Sequence, residues 1–295
     1  MKNVVSISLG QEEFDCDFRT NFLGRRFHVT RRGTNRDRRA AAQLVREAAD
    51  QADVIGLGMV ADHYSVGTNY FRQPDTYKLE QQAGAVPVST GARLRAIVQE
   101  WSVRSAQVEL GGIFSNARVL FMSGTTNYRL ASEVSEYTQN LSFADPVLQF
   151  GAPNLLHSLR ALELYAAGSH PLLKYGGSRA RVPAFGPVNY LKKVVLRRAV
   201  QEAHIIVASY DQLETYTARE LEGKTVVSST ISPARLKALW EKGVRLVIDC
   251  SIQPFKQTVG LNVVESMIIA ALEKKPEDIL HDDYLEIFTD LELKP

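Results

Sequence analysis

A chain of 295 residues with 45% apolar composition can bury one large core or two of medium size, and ordinary domain sizes favour two. Charged residues make up 23% and nearly cancel, to a formal net charge of +2, which excludes the strongly basic signature of a general nucleic-acid binder. The cysteines Cys16 and Cys250 form no CxxC pair and suggest reduced thiols in a cytoplasmic protein. The opening residues lack the apolar core and cleavage site of a signal peptide, and apolar stretches such as Met267–Leu272 are far too short to span a bilayer.

In chain order, Val4–Leu9 predicts a strand. Two alternating segments, Phe14–Arg19 and Arg26–Arg31, joined near Asn21–Gly24, predict a hairpin. Asn35 is placed to cap a helix reaching about Asp50, with Ala41, Leu44, Val45 and Ala48 at helical spacing. Ala52–Met59 predicts a buried strand, Asp62–Lys78 a loop, and Gly91–Ser102 a helix. From Asn116 the rhythm becomes strand, helix, strand. Strands are predicted at Arg118–Met122, Asn140–Ala144, His204–Ser209, Lys224–Ser228 and Arg245–Asp249. Helices are predicted at Tyr128–Tyr137, Ala152–Ala167, Val188–Ala203 and Pro233–Lys242. The three prolines and four glycines of Gly168–Pro187 predict a loop or lid. Helices at Leu261–Lys274 and Pro276–Leu291 have no strand after them.

Short apolar strands alternating with helices imply a parallel sheet covered on both faces. The expected fold class is therefore α/β with two domains. Residues 1–112 form an N-terminal α/β substrate or cap domain, completed by the helices of 260–295, which pack back on it. Residues 113–259 form a Rossmann-like, doubly wound, nucleotide-binding domain.

The first turn after a domain-opening parallel strand is where a nucleotide phosphate sits, because helix N-terminal N–H groups point outward there. That turn reads Ser123-Gly124-Thr125-Thr126-Asn127; it lacks GxGxxG, and a plain helix cap is the competing reading. Asp145 follows the glycine by about 20 residues, the spacing of the acid that holds ribose hydroxyls and favours NAD over NADP. The competing reading is a turn begun by Asp145-Pro146. The later strands end in Ser209, Ser229, Thr230 and Ser251, small hydroxylated residues that let a flat ring approach, or else ordinary loop chemistry.

Val4-Val-Ser-Ile-Ser-Leu-Gly10, Val54-Ile-Gly-Leu-Gly58, Leu221-Glu-Gly-Lys-Thr-Val226 and Gly260-Leu-Asn-Val-Val-Glu-Ser-Met267 resemble bacterial quinate 5-dehydrogenases nearly end to end. The run of strands closing on Val247-Ile-Asp-Cys250 likewise resembles the cofactor half of shikimate and methylene-tetrahydrofolate dehydrogenases, the amino-acid-dehydrogenase-like group. The resemblance implies a substrate domain, a nicotinamide domain and a cleft between them. It also implies a substrate carboxylate at Ser6 and Ser8, and a returning helix that opens at Gly260 and carries Asn262. The Asn-Val-Thr-x-Pro-x-Lys stretch of those enzymes is missing, so Lys78 is a candidate catalytic lysine by region alone.

Chemistry alone adds Asp62-His63, a proton-transfer pair or two solvated side chains. His28, His157, His170, His204 and His281 show no metal spacing, so no metal is expected. Arg25, Arg26, Arg31, Arg32, Arg36, Arg38 and Arg39 could bind a phosphate-rich or acidic partner, but the favoured expectation is that they protect a hairpin edge and meet Asp37 and Glu47. Arg179, Arg181, Lys192, Lys193, Arg197 and Arg198 would suit a basic lid over an anionic ligand. The expectation is an NAD-dependent oxidoreductase, NADP being admissible, that acts on a small polar hydroxy acid or cyclic alcohol. Its partners are a small-molecule substrate, with neither nucleic acid nor membrane, and a homodimer is admissible. The alternatives are a non-redox nucleotide-binding or regulatory protein with the same fold, and the N-terminal part of a larger enzyme.

Overall fold

The computed structural model describes residues 1–176, 186–229, 231–252, 254–255 and 259–291. Thr230, Arg179 and Arg181 lie outside them. Contacts divide the chain into two units, one of Met1–His63, Arg72–Ile97 and Ile252–Lys294, the other of Tyr64–Phe71 and Val98–Ser251. Neither is one continuous stretch. No helix among the described residues is long and apolar enough to cross a membrane.

The first unit is built on a five-stranded sheet of β1 (Lys2–Ser8), β2 (Cys16–Phe22), β3 (Arg25–Gly33), β4 (Val54–Gly58) and β7 (Val88–Ser89), in the order β2-β3-β1-β4-β7. All neighbours are parallel except β2 and β3, which form the hairpin expected from the alternation. Phe22 pairs with Arg25, leaving Leu23 and Gly24 as a two-residue loop with φ of 47° and 70°. That is the primed turn whose twist suits a hairpin, and Gly24 enters it without steric cost.

The helix α1 (Arg38–Ala49) is capped by Asp37, which accepts from the N–H groups of Arg39 and Ala40. Asn35 is not the cap: it and Arg36 take positive φ and turn the chain into the helix. Ile7, Ile55 and Leu57 bury against Ala41, Val45 and Ala48 on the α1 face. The opposite face carries α11 (Leu261–Leu272), followed by α12 (His281–Asp290), so the C-terminal helices do pack back on the first unit. The segment expected to be loop holds a helix, α2 (Pro74–Glu80), started by proline at its first position.

Three of the arginines pair elsewhere than with Asp37 and Glu47: Arg25 with Glu273, Arg31 with Asp15 and Arg38 with Asp75. Asp37 caps α1 and feels the charge of Arg39.

The second unit is built on the parallel strands β8 (Val119–Phe121), β9 (Leu141–Phe143), β10 (Ile205–Val207), β11 (Thr225–Ser228) and β12 (Leu246–Asp249), in the order β12-β11-β10-β8-β9. Alternate residues bury on opposite faces. Val119 and Phe121 join the part of α3 (Ala92–Glu109) around Val103, α4 (Tyr128–Ser135) and α6 (Leu159–Gly176). Leu120 and Ile206 meet α7 (Gly186–Glu202), α9 (Ala218–Leu221) and α10 (Pro233–Glu241). Helices on both faces make it a doubly wound, Rossmann-like sheet. The loop expected over Gly168–Pro187 is helical to Gly176 and again from Gly186.

A short hairpin, β5 (Tyr64–Val66) with β6 (Asn69–Phe71), belongs to this unit despite its early position. Val66 and Phe71 bury against Ala166 of α6.

Candidate functional site

From β8 the chain passes to β9 on one side, and β10 then lies on the other side of β8. Numbered from β8, the order is that of strands 2-1-4-5-6 of the six-stranded dinucleotide fold; the third strand has no counterpart among the described residues. In sheets of this kind ligands bind beyond the carboxyl ends of the strands at the point where the order reverses, here between β8 and β10.

Four of the predicted residues meet there. Ser123 follows β8 and Ser209 follows β10, and Gln212 of the short helix α8 (Tyr210–Leu213) joins them. Its Nε2 donates to Ser123 Oγ at 3.0 Å and its Oε1 accepts from the Ser209 N–H at 3.0 Å. Asn127 Oδ1 accepts from Gln99 Nε2 at 3.1 Å, and the same nitrogen lies 3.4 Å from Ser229 Oγ, beyond β11. Beside them the hydroxyl of Ser228, 5% exposed, is buried with no hydrogen-bond partner among the described residues. These strand ends thus carry hydroxyl and carboxamide groups. Ser251, half-buried, follows β12. Gln99 escaped sequence reasoning because no motif marks it, whereas Gln212 stands three residues after Ser209 at the spacing of a helix capping box.

Asp145 has a different setting from the one its spacing suggests. It opens α5 (Asp145–Phe150) two residues beyond the end of β9, and is 1% exposed. Its Oδ2 accepts from the Gly124 N–H at 2.7 Å; its Oδ1 accepts from the Thr125 N–H at 3.0 Å and Thr125 Oγ1 at 2.6 Å. The carboxylate therefore fills the place at the turn proposed for phosphate, and is not turned toward a ribose. Burial pushes its pKa above the ordinary carboxylate value, against the pull of these donors. A Cβ on Gly124 would run into the Phe143 ring, so the glycine answers to packing against β9. Thr126 Oγ1, the remaining hydroxyl of the turn, donates back to the Ser123 carbonyl at 3.3 Å.

In the first unit the predicted substrate residues gather under α11. Ser6 Oγ accepts from Asn262 Nδ2 at 2.9 Å, and Ser8 Oγ accepts from the Gly10 N–H at 3.0 Å. All three are nearly buried, and a Cβ on Gly58 would come within 3.0 Å of Ser8 Oγ. Glu265, a turn further along α11, was not foreseen, although a carboxylate inside an apolar helix is a visible anomaly. It is 5% exposed and accepts from Ser89 Oγ at 2.6 Å, the Leu94 N–H at 3.1 Å and Tyr284 Oη at 3.0 Å. Burial raises its pKa.

The catalytic candidates do not form one group. Asp62 pairs with Arg95. His63 Nδ1 accepts from the Gln73 N–H at 2.8 Å, which places its proton on Nε2, 3.0 Å from Glu80 Oε2. Lys78 stands on the exposed side of α2, its side chain 77% accessible and 3.8 Å from Asp75.

Two solved structures are similar to this chain in fold. The malic enzyme of Entamoeba histolytica is 15% identical with a TM-score of 0.40, over 84% of this chain and 49% of that one. Glutamate dehydrogenase of Thermus thermophilus is 14% identical with a TM-score of 0.45, over 99% and 73%. This chain thus spans about half the length of the malic enzyme. No curated protein matches the sequence. The family model for the domain of unknown function DUF8753 matches residues 3–90. That for the domain of unknown function DUF8754 matches residues 93–295, more than half of the sequence, and the chain belongs to the DUF8754 family.

Proposed function

We propose that the protein is an NAD(P)-dependent oxidoreductase acting on a small polar hydroxy acid or cyclic alcohol, of the kind that quinate and shikimate dehydrogenases handle. The observation that carries this is the reversal of strand order between β8 and β10, with Ser123, Asn127, Ser209 and Ser229 gathered beyond it. Their hydroxyl and amide groups suit the carboxamide and ribose of a nicotinamide nucleotide, which supplies the hydride acceptor or donor when bound. With Asp145 on the Gly124 and Thr125 amides, the ligand is held from the Ser123 and Ser209 side. Asp62, His63 and Lys78 are the candidates for moving the substrate proton; His63 would do so by releasing Glu80 from its Nε2, because its Nδ1 lone pair is taken by the Gln73 N–H. Ser6, Ser8 and Asn262 are the candidates for the substrate carboxylate.

A specific observation favours a second reading, a non-redox nucleotide-binding or regulatory protein: the turn amides that would hold a pyrophosphate are already satisfied from within. One titration separates the two. Oxidised and reduced NAD and NADP are added to the full chain while melting temperature is followed, with quinate or shikimate turnover read from reduced-nicotinamide absorbance. Saturation at about 100 times Kd adds about 2.7 kcal/mol of stability to a binding protein. The oxidoreductase reading expects stabilisation by a dinucleotide and turnover. Stabilisation by a dinucleotide without any hydride transfer supports the second reading, and no response to any of the four dinucleotides sinks the first.

A further inference from the structure

The sheet of the first unit has one long open edge. β2 lies outermost and pairs with β3 alone, over the seven residues Cys16–Phe22. The other outermost strands of the two five-stranded sheets are short: β7 has two residues, β9 three and β12 four. Shortness is one way a fold keeps its edges from pairing with another chain; lysine, proline and bulges are others. β2 uses none of them, since it holds neither lysine nor proline and its register with β3 runs without a bulge. The arginines expected to guard the hairpin edge, Arg25, Arg26, Arg31 and Arg32, stand on β3, between β2 and β1.

The hairpin decides which backbone groups face outward. Phe22 and Arg25 flank its two-residue loop as a hydrogen-bonded pair, and such pairs recur at every second residue, at Thr20, Phe18 and Cys16. The N–H and C=O groups of Asp17, Arg19 and Asn21 therefore point away from β3. No backbone–backbone bond among the described residues reaches them from elsewhere, and all three residues are exposed. Their side chains share one face of the sheet, while Phe18 and Phe22 share the other, with the Phe255 ring at 6.3 and 5.5 Å between centroids. Arg19 has no ion pair among the described residues, and the Asp17 carboxylate, 59% accessible, meets His28 at 2.8 Å.

We propose that two copies of this chain pair along β2, antiparallel and about a two-fold axis, so that their first sheets run on as one. In such a pair outward-facing residues must meet outward-facing residues, which restricts the register. Centring it on Arg19 sets that arginine against itself, and centring it on Asp17 opposes two carboxylates. Centring it on Phe18 sets Asp17 opposite Arg19 of the other copy, twice by symmetry, and no other register meets each charge of β2 with its opposite. Asp17 and Arg19 then exchange backbone hydrogen bonds across the axis. On the other face Phe18 meets its counterpart in a non-hydrogen-bonded pair, where side chains come closest. The inference rests on the first unit alone and not on the oxidoreductase reading.

Sedimentation of the full chain over a range of concentrations tests it. A strand pair alone buries less than a standard interface, so a dimer with Kd on the order of 1–100 μM is expected. Asp17→Arg and Arg19→Asp each set like charges opposite one another twice, and each should weaken the dimer by about tenfold or more. The double variant, Asp17→Arg with Arg19→Asp, restores both pairs and should dimerise within about threefold of the parent. Both side chains are exposed, so the melting temperatures of the variants should stay close to that of the parent. Arg19→Pro removes an outward N–H without removing a bond to β3, and should abolish the dimer. A chain still monomeric at about 500 μM overturns the proposal. A dimer indifferent to the single charge changes and to Arg19→Pro overturns it too, since the interface then lies elsewhere. A double variant no tighter than the single ones overturns it as well, because the register rests on those charges.

Discussion

The carboxylate of Asp145 answers three donors at the start of the turn before α4, two of them backbone N–H groups of the fully buried Gly124 and Thr125. A helix N-terminus accepts a phosphate or an internal carboxylate for the same reasons, outward N–H groups and a favourable dipole, and it cannot hold both in one place. The neighbouring Gln149 extends the arrangement, accepting from Tyr165 Oη at 2.8 Å. Burial and the nearby Asp145 charge raise the pKa of both Tyr165 and Tyr64, so both stay neutral phenols around the carboxylate. Asp145→Ala should therefore strand two buried N–H groups, at a cost of about 3 kcal/mol in urea unfolding. The same variant should gain an anion site that the parent lacks, so that sulfate or phosphate stabilises it more than the parent. A variant within about 0.5 kcal/mol of the parent (the scatter of neutral surface changes) and indifferent to sulfate would show that the carboxylate does not hold the turn.

At the scale of elements, the amino ends of the second sheet carry a row of bases. Arg118, His204, Lys224 and Arg245 each precede a strand, β8, β10, β11 and β12, and the parallel register sets them side by side. Helix C-termini arrive at this edge with unsatisfied carbonyls and the negative end of the dipole. Lys224 Nζ donates to the Gln201 and Ala203 carbonyls at 2.6 Å each, and Arg118 Nε to the Glu202 carbonyl at 2.5 Å, so together they close the end of α7. Burial and the Arg118 charge push the Lys224 pKa down, a sign that the cations are crowded as well as useful. Lys224→Met keeps the stem but removes both bonds, and should cost about 1–2 kcal/mol with faster amide exchange in the last turn of α7. Unchanged exchange there would assign the lysine to solubility alone. These strands were legible in the sequence because parallel strands buried on both faces read as unbroken apolar runs, as in Ile205–Val207. The hairpin and α2 within Asp62–Lys78 were not, since three-residue strands carry no period to detect. At the site, Ser6, Ser8 and Asn262 could be named but not their contacts. The spacing of Asp145 marked a real partner of Gly124 without telling which way the carboxylate turns.

At the scale of the molecule, the two units are stitched through the sequence: the first takes its last helices from the C-terminus, the second takes β5 and β6 from the first quarter of the chain. The hairpin is more than a decoration of the second unit. Phe71 is 5% exposed, stacks on Tyr64 with ring centroids 5.2 Å apart and meets the His170 ring at 4.7 Å. Val66 is fully buried beside Ala166, and a Cβ on Gly67, whose φ is +59°, would touch the Glu163 side chain, itself bonded to Tyr128 Oη at 2.6 Å. The hairpin thus ties α6 to α4 from outside their own stretch of sequence. A chain that folds this way has to complete the second unit with a segment synthesised well before it, which raises the sequence separation of its contacts and slows folding. Phe71→Ala should cost about 3–5 kcal/mol, the usual range for truncating a buried phenylalanine. Hydrogen exchange locates the loss: amides of α4 and α6 should exchange faster, while those of β1 and β3, in the first unit, keep their protection. The reverse pattern, with β1 and β3 opened and α6 intact, would mean that the hairpin serves the unit it interrupts and not the one it packs on.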